Sequence, residues 1–169
     1  MSVTEQAAGR PQRVSPDIRA AIEDLISDYA YALDDDALER WPGFFTDDAS
    51  YKIISRENYD AGMALGILSC DGRGMMRDRI LALRTANVFE PHTYCHLLGP
   101  TRIEADGDGG YRARTNFSVI RTMQDGSDTR YATGKYVDTC VVADGVAKLT
   151  SRTVVLESRR IDVLMVIPL

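Results

Sequence analysis

A chain of 169 residues, 44% hydrophobic and 27% charged, has the size and composition of one globular domain able to bury about two-thirds of its unfolded surface. Its net charge of −5 excludes the basic footprint that nucleic-acid binding requires. No apolar run approaches the roughly 18 residues of a membrane span. The opening MSVTEQAAGRPQRVSP has no apolar core like that of a secretion signal. Residues 1–15 are expected to form a flexible polar arm, and residues 16–169 a single domain. Cys70, Cys95 and Cys140 are odd in number and have no CxxC spacing, which fits idle thiols in a reducing cytoplasm.

Ser15-Pro16 pairs a capping hydroxyl with a proline suited to the first helical turn. Ile18, Ile22, Leu25, Ile26, Tyr29 and Leu33 then recur at helical spacing, with Asp17, Arg19, Glu23, Asp24 and Asp28 opposite. Asp34-Asp35-Asp36 ends this helix, and Asp36 with Glu39 has the spacing of a capping box for a short second helix, interrupted by Pro42 and Gly43. Trp41, Phe44 and Phe45 are core anchors. Residues 50–55 and 63–69 read as short strands around a polar turn at 56–60. A third helix follows Asp71-Gly72, with Met76, Ile80 and Leu83 as its apolar stripe.

From His92 onward the period becomes strand-like. Turn signals at 106–110, Asp125-Gly126 and Asp144-Gly145 separate four long antiparallel strands, predicted over 92–104, 111–123, 130–142 and 146–159. Apolar residues fall on both faces of the third and fourth of these strands. A sheet with one face in water alternates more cleanly, so the outer face is expected to be covered by another subunit. Three helices around a strand pair, then a four-stranded meander, predict an α+β fold with helices on one curved sheet. That is the element order of the cystatin-like cone fold that includes nuclear transport factor 2.

Few residues suit chemistry. The two histidines, His92 and His96, are four apart on a strand and so point to one side. A 2-His-1-carboxylate iron site would need Asp34, Asp35 or Glu90 as third ligand. The H-x3-H spacing lacks the glutamate of HExxH, so structural or interface histidines are the favoured reading. Tyr29, Tyr31, Asp34, Tyr51 and His92 are the material for proton transfer inside a cone, as in isomerases and dehydratases of this shape. A small-ligand site in the same cavity is the third option. Arg73, Arg77, Asp78, Arg79 and Arg84 make a dense charged segment beside apolar anchors, a pattern that interfaces select. Cys-x-His and Cys-x2-His pairs, needed for a Rieske cluster, are missing.

The block DALERWPGFFTDDASYKIISRENYDAGMALGILSCDGRGMMRDRILALRTANVFEPHTYCHLLG, from Asp36 to Gly99, resembles the small (β) subunit of Rieske-type aromatic-ring-hydroxylating dioxygenases. The likeness is greatest to those acting on aromatic acids such as terephthalate. Arg77-Asp78-Arg79 with Ile80 and Leu83 resembles the D-R-[IV]-x-A-L-R signature of that family. The resemblance extends less sharply from about Pro16 onward. It implies a cone-shaped structural subunit without catalytic, cofactor or metal residues of its own. It also implies a large-subunit partner holding a Rieske [2Fe–2S] cluster and mononuclear Fe(II), in an assembly of three large and three small chains. Arg77, Asp78, Arg79, Arg84, His92 and His96 are then candidate interface residues.

Overall fold

The computed structural model describes residues 14–86, 90–158, 165 and 167–169. Helix α1 spans Pro16–Asp34, and the Ser15 hydroxyl accepts the Ile18 N–H, as its N-cap position leads one to expect. It buries Ile22, Leu25, Ile26, Tyr29 and Leu33 against the sheet, together with Ala30 and Ala32. The next element departs from the sequence reading. Leu38–Phe44 is a 3-10 helix with Pro42 inside it, and no side chain caps it. Asp36 sits at φ 55°, in the left-handed region that a short polar side chain tolerates. From there its carboxylate, with that of Glu39, accepts from Arg84 instead of forming a capping box.

Strand β1 is Phe45–Ser55, and the residues read as a polar turn form a one-turn helix α2, Arg56–Asp60, capped by the Ser55 hydroxyl. The partner strand is shorter than the apolar run suggested: β2 is only Leu68–Asp71. Gly66 lies so close to β1 that a Cβ would meet the Ile53 carbonyl oxygen at 2.5 Å, while Met63 and Leu65 project into solvent. Helix α3, Gly72–Thr85, buries Met76, Ile80 and Leu83 as the stripe predicted. Strands β3 (His92–Asp106), β4 (Gly110–Met123), β5 (Asp128–Ala143) and β6 (Val146–Leu156) complete a six-stranded sheet in the order β2-β1-β6-β5-β4-β3. Only β1 and β6 run parallel, so the sheet is mixed but mainly antiparallel. Asp144 and Gly145 both have positive φ, 51° and 77°, as a two-residue type I′ hairpin requires.

Register shifts between Leu98 and Thr101, Val119 and Ile120, and Thr139 and Cys140 bend the long strands. Helices α1 and α3 and the 3-10 turn fill the concave side, giving an α+β cone. On β5 the inner face, Ala132, Gly134, Tyr136, Asp138 and Cys140, is buried, whereas Thr133, Lys135, Val137 and Thr139 on the outer face are half-exposed. The alternation is thus cleaner than the residue types implied. Val155 is buried on the outer side, where α2 packs over β1 and β6. No helix among the described residues is long and apolar enough to cross a membrane.

Candidate functional site: a polar cluster sealed inside the cone

The inner face of the sheet converges on a polar cluster. Asp34, the last residue of α1, accepts the backbone N–H of His96 at 2.8 Å and faces the ring Nδ1 at 2.5 Å. The His96 side chain is fully buried, so this pair ties the end of α1 to β3. His92 is half-exposed; its Nδ1 lies 2.8 Å from the Glu90 carbonyl and its ring packs 5.0 Å from Tyr94. Of the carboxylates considered for iron, Asp34 reaches His96. Among the described residues no three His, Cys, Asp or Glu side chains gather as a metal cage.

Deeper in, Arg152 of β6 is cross-strand partner to Asp138 of β5, with Nε and Nη2 donating to the two carboxylate oxygens at 2.9 and 2.8 Å. Both side chains are fully buried. The guanidinium lies between the rings of Tyr29 and Tyr136, 4.0 and 4.1 Å from their centroids. Burial pushes the Asp138 carboxyl up, against the pull of Arg152. Burial also works against the Arg152 charge, but Asp138 more than offsets it and holds the guanidinium pKa above its ordinary value.

Tyr29 and Tyr51 converge on Leu169. Their hydroxyls donate to its carbonyl at 2.8 and 3.0 Å, Tyr51 also accepts its N–H at 3.0 Å, and Trp41 Nε1 donates to the Tyr29 hydroxyl at 2.9 Å. Leu169 and Ile167 are core residues, so the chain fills its own interior here. Burial raises the pKa of Tyr29, and raises those of Tyr51 and Tyr136 well above 10.0. At neutral pH these phenols are donors and packing surfaces, with no ionised oxygen to act as a base. Burial likewise pushes the Cys140 thiol up to about 12.

The structure brings Tyr29, Asp34, Tyr51 and His96 of the sequence candidates to the interior. Tyr31 points outward, 64% exposed. Sequence reading missed Tyr136, Asp138, Arg152 and Leu169. A signal existed for two of them: Asp138 shares a strand face with Ala132, Gly134 and Cys140, and Arg152 one with Val154 and Leu156, so each is a charge on a core face.

The charged segment of α3 is partly used within the chain. Arg84 donates to Glu39 at 2.8 Å, to Asp36 at 2.9 and 3.0 Å, and to the Asp36 carbonyl at 2.7 Å. Those bonds raise the Arg84 pKa and hold the Glu39 carboxyl below its ordinary value. Arg77 and Asp78 are exposed and Arg79 is half-buried. Arg77 borders a groove of about 310 Å³ over Pro42, Ile80 and Leu81. Met63, Leu65 and Ile67, ahead of β2, and Met75 and Leu81, on α3, are large apolar side chains that stand exposed.

A cone of this build with a self-filled interior is a SnoaL-like domain, the description of the family model that matches residues 16–153. The chain is 41% identical over 141 residues to the terephthalate 1,2-dioxygenase terminal oxygenase component subunit beta 2 of Comamonas sp., covering 83% of this chain and 92% of that protein. It is 38% identical over 141 residues to the anthranilate 1,2-dioxygenase small subunit of Burkholderia cepacia, covering 83% and 88%. Among solved structures it superposes, with a TM-score of 0.82 and 38% identity, on a protein from Novosphingobium aromaticivorans described as the beta subunit of an aromatic-ring-hydroxylating dioxygenase. That match covers 90% of this chain and 97% of the other. The chain belongs to the small (beta) subunits of aromatic-ring-hydroxylating dioxygenases, and is a component of an oxidoreductase complex that includes a large subunit.

Proposed function

We propose that this chain is the structural small subunit of a cytoplasmic enzyme built from three large and three small chains. The large subunit holds the Rieske [2Fe–2S] cluster and the mononuclear iron. It adds both atoms of O2 to an aromatic acid, such as terephthalate or anthranilate, giving a cis-dihydrodiol while NADH supplies two electrons. Residues 16–169 work as one cone-shaped unit; of the arm expected over residues 1–15, residues 1–13 lie outside the described residues. The observation that carries this reading is identity of 38–41% over 83% of the chain to small subunits of such enzymes.

The sealed interior supports a structural role. Asp138 pairs with Arg152, Asp34 faces His96, and the Tyr29 and Tyr51 hydroxyls hold Leu169, while the buried Tyr136 hydroxyl has no hydrogen-bond partner among the described residues. The surface supports a partnered one, because large apolar side chains exposed before β2 and on α3 are what a protein contact covers. Arg77, Asp78, Arg79 and Arg84 lie on α3 with the exposed Met75 and Leu81. We assign this segment, with the start of β3 at His92 and His96, to contacts within the assembly. His96 serves from inside, by fixing β3 to α1. Co-expression with the large subunit tests the reading. The two should co-purify in equal numbers, with iron only in the large chain, and convert an aromatic acid to its dihydrodiol. A small chain that never associates with the large one would refute it.

A further inference from the structure

Two surface patches of opposite sign are only partly compensated in the single chain. On α1, Asp17, Asp24 and Asp28, with Asp35 just beyond its end, follow at intervals of seven, four and seven residues, which sets them in one stripe. Tyr31, seven residues after Asp24 and well exposed, lies in the same stripe. None of these four carboxylates has an ion-pair partner among the described residues; the pair on this helix is Arg19 with Glu23. Asp24 and Asp28, one turn apart, repel each other. They rim a hollow of about 250 Å³ beside Ala21, the exposed Val146 and Lys148, whose ammonium donates to the Gly43 carbonyl.

The outer sheet face is the counterpart. Register places Arg102 of β3 opposite Arg114 of β4, Arg114 opposite Val137 of β5, and Val137 opposite Thr153 of β6. The adjacent row runs Glu104, Arg112, Thr139 and Ser151. Together they floor a groove of about 420 Å³ walled by Tyr59. Arginines directly opposite on neighbouring strands are unfavourable. Glu104 and Asp106 engage Arg102 and Arg112, but Arg114 has no ion-pair partner among the described residues. Lys135, 5.7 Å over the Tyr59 ring, adds further positive charge.

We infer that the groove of one small subunit seats the acidic α1 stripe of the next, with Asp24 and Asp28 on Arg102 and Arg114 and Tyr31 against the guanidinium groups. This deepens the three-plus-three reading and rests on it. Tyr29 of α1 packs on Tyr136 of the inner face, so α1 lies across the sheet from the groove and cannot fill it in its own chain. Groove against groove sets arginine on arginine, and stripe against stripe sets aspartate on aspartate. Charge therefore disfavours a two-fold contact through either patch and favours the unlike pair. Such a heterologous contact gives a ring where its rotation closes and a filament where it does not, and the three-plus-three reading selects the closed trimer.

Sedimentation of the full chain, purified alone, tests this. It should be trimeric at low salt and dissociate at about 1 M salt, where the Debye length is about 3 Å. The pair Arg102→Glu/Arg114→Glu should weaken association at least tenfold, as should Asp24→Arg/Asp28→Arg. The chain carrying all four substitutions should regain the trimer. Matched melting temperatures establish that the variants fold, and the salt titration of the unaltered chain needs no variant. A monomer at low salt, a trimer indifferent to either pair, or a swap that restores nothing overturns the inference. So does an arginine variant that stays trimeric but loses the large subunit, which would assign the groove to that partner. Capture of the large subunit by the unaltered chain scores the dioxygenase reading separately.

Discussion

Arg152 and Asp138 face each other across β6 and β5 as a bidentate pair with no solvent contact, the guanidinium held between Tyr29 and Tyr136. The pair joins the sheet to α1, because Tyr29 is at once a wall for Arg152, an acceptor for Trp41 and a donor to Leu169. Breaking a buried pair leaves one uncompensated charge, which costs about 3–5 kcal/mol, whereas replacing both partners with apolar residues of similar volume is often neutral. Asp138→Ala should therefore lower stability by about that amount. Asp138→Leu combined with Arg152→Met should recover most of it. Chemical denaturation of the three chains checks this, and a double variant as unstable as the single would contradict it.

Tyr51 holds both backbone groups of Leu169 with one hydroxyl. In Tyr51→Phe the Leu169 N–H is left buried without that acceptor, at a cost of about 1–3 kcal/mol. Trp41 is the only tryptophan and donates to Tyr29, the other hydroxyl on Leu169. Removing residues 167–169 should consequently shift Trp41 emission to the red as water enters. Unchanged emission would place Leu169 elsewhere in solution.

Arg84 ties α3 to the Asp36–Glu39 turn at the surface, a contact worth about 0.2–1 kcal/mol once solvent screening is allowed for. Its hydrogen bond holds the Glu39 carboxyl below its ordinary 4.5. A carboxylate depressed in the folded state adds stability above its ordinary range and loses it as pH falls through the folded value. The stability difference between the unaltered chain and Arg84→Gln should be present at neutral pH, shrink below about pH 4.5 and fall with salt. Urea melts over this range decide it. A difference that grows on acidification would be the wrong sign.

Gly134 is fixed by close approach. A Cβ there would collide with the Val155 carbonyl and press on Phe117, whose ring stacks 4.4 Å from Tyr136. Gly134→Ala should cost about 1–3 kcal/mol, the usual range for overpacking. A neutral effect in thermal melts would mean that β5 and β6 separate more easily than their register suggests.

What could be read from the sequence was local. Ser15-Pro16 and Asp144-Gly145 carry their structure in adjacent residues, and both features formed. The stripe Met76, Ile80 and Leu83 needs only one helix. The Leu38–Phe44 turn was misread because the Asp36–Glu39 spacing that suits a capping box also suits two acceptors for Arg84, 45 and more residues away. The Asp138–Arg152 pairing depends on a register shift between Thr139 and Cys140 that no residue pattern announces. Leu169 meets Tyr29 across 140 positions, and only the closed fold reveals that contact.

The central claim is that this chain supports the assembly and leaves the chemistry to the large subunit. Turnover per iron in the assembled enzyme carrying His96→Asn tests it most directly, since His96 with Asp34 is the pair in the cone best arranged for proton transfer. The account predicts a chain less stable by about 1–3 kcal/mol, from the weakened tie to Asp34, and unchanged turnover per iron. A loss of about a hundredfold or more, the scale of a missing general acid or base, with assembly and stability intact, would contradict it.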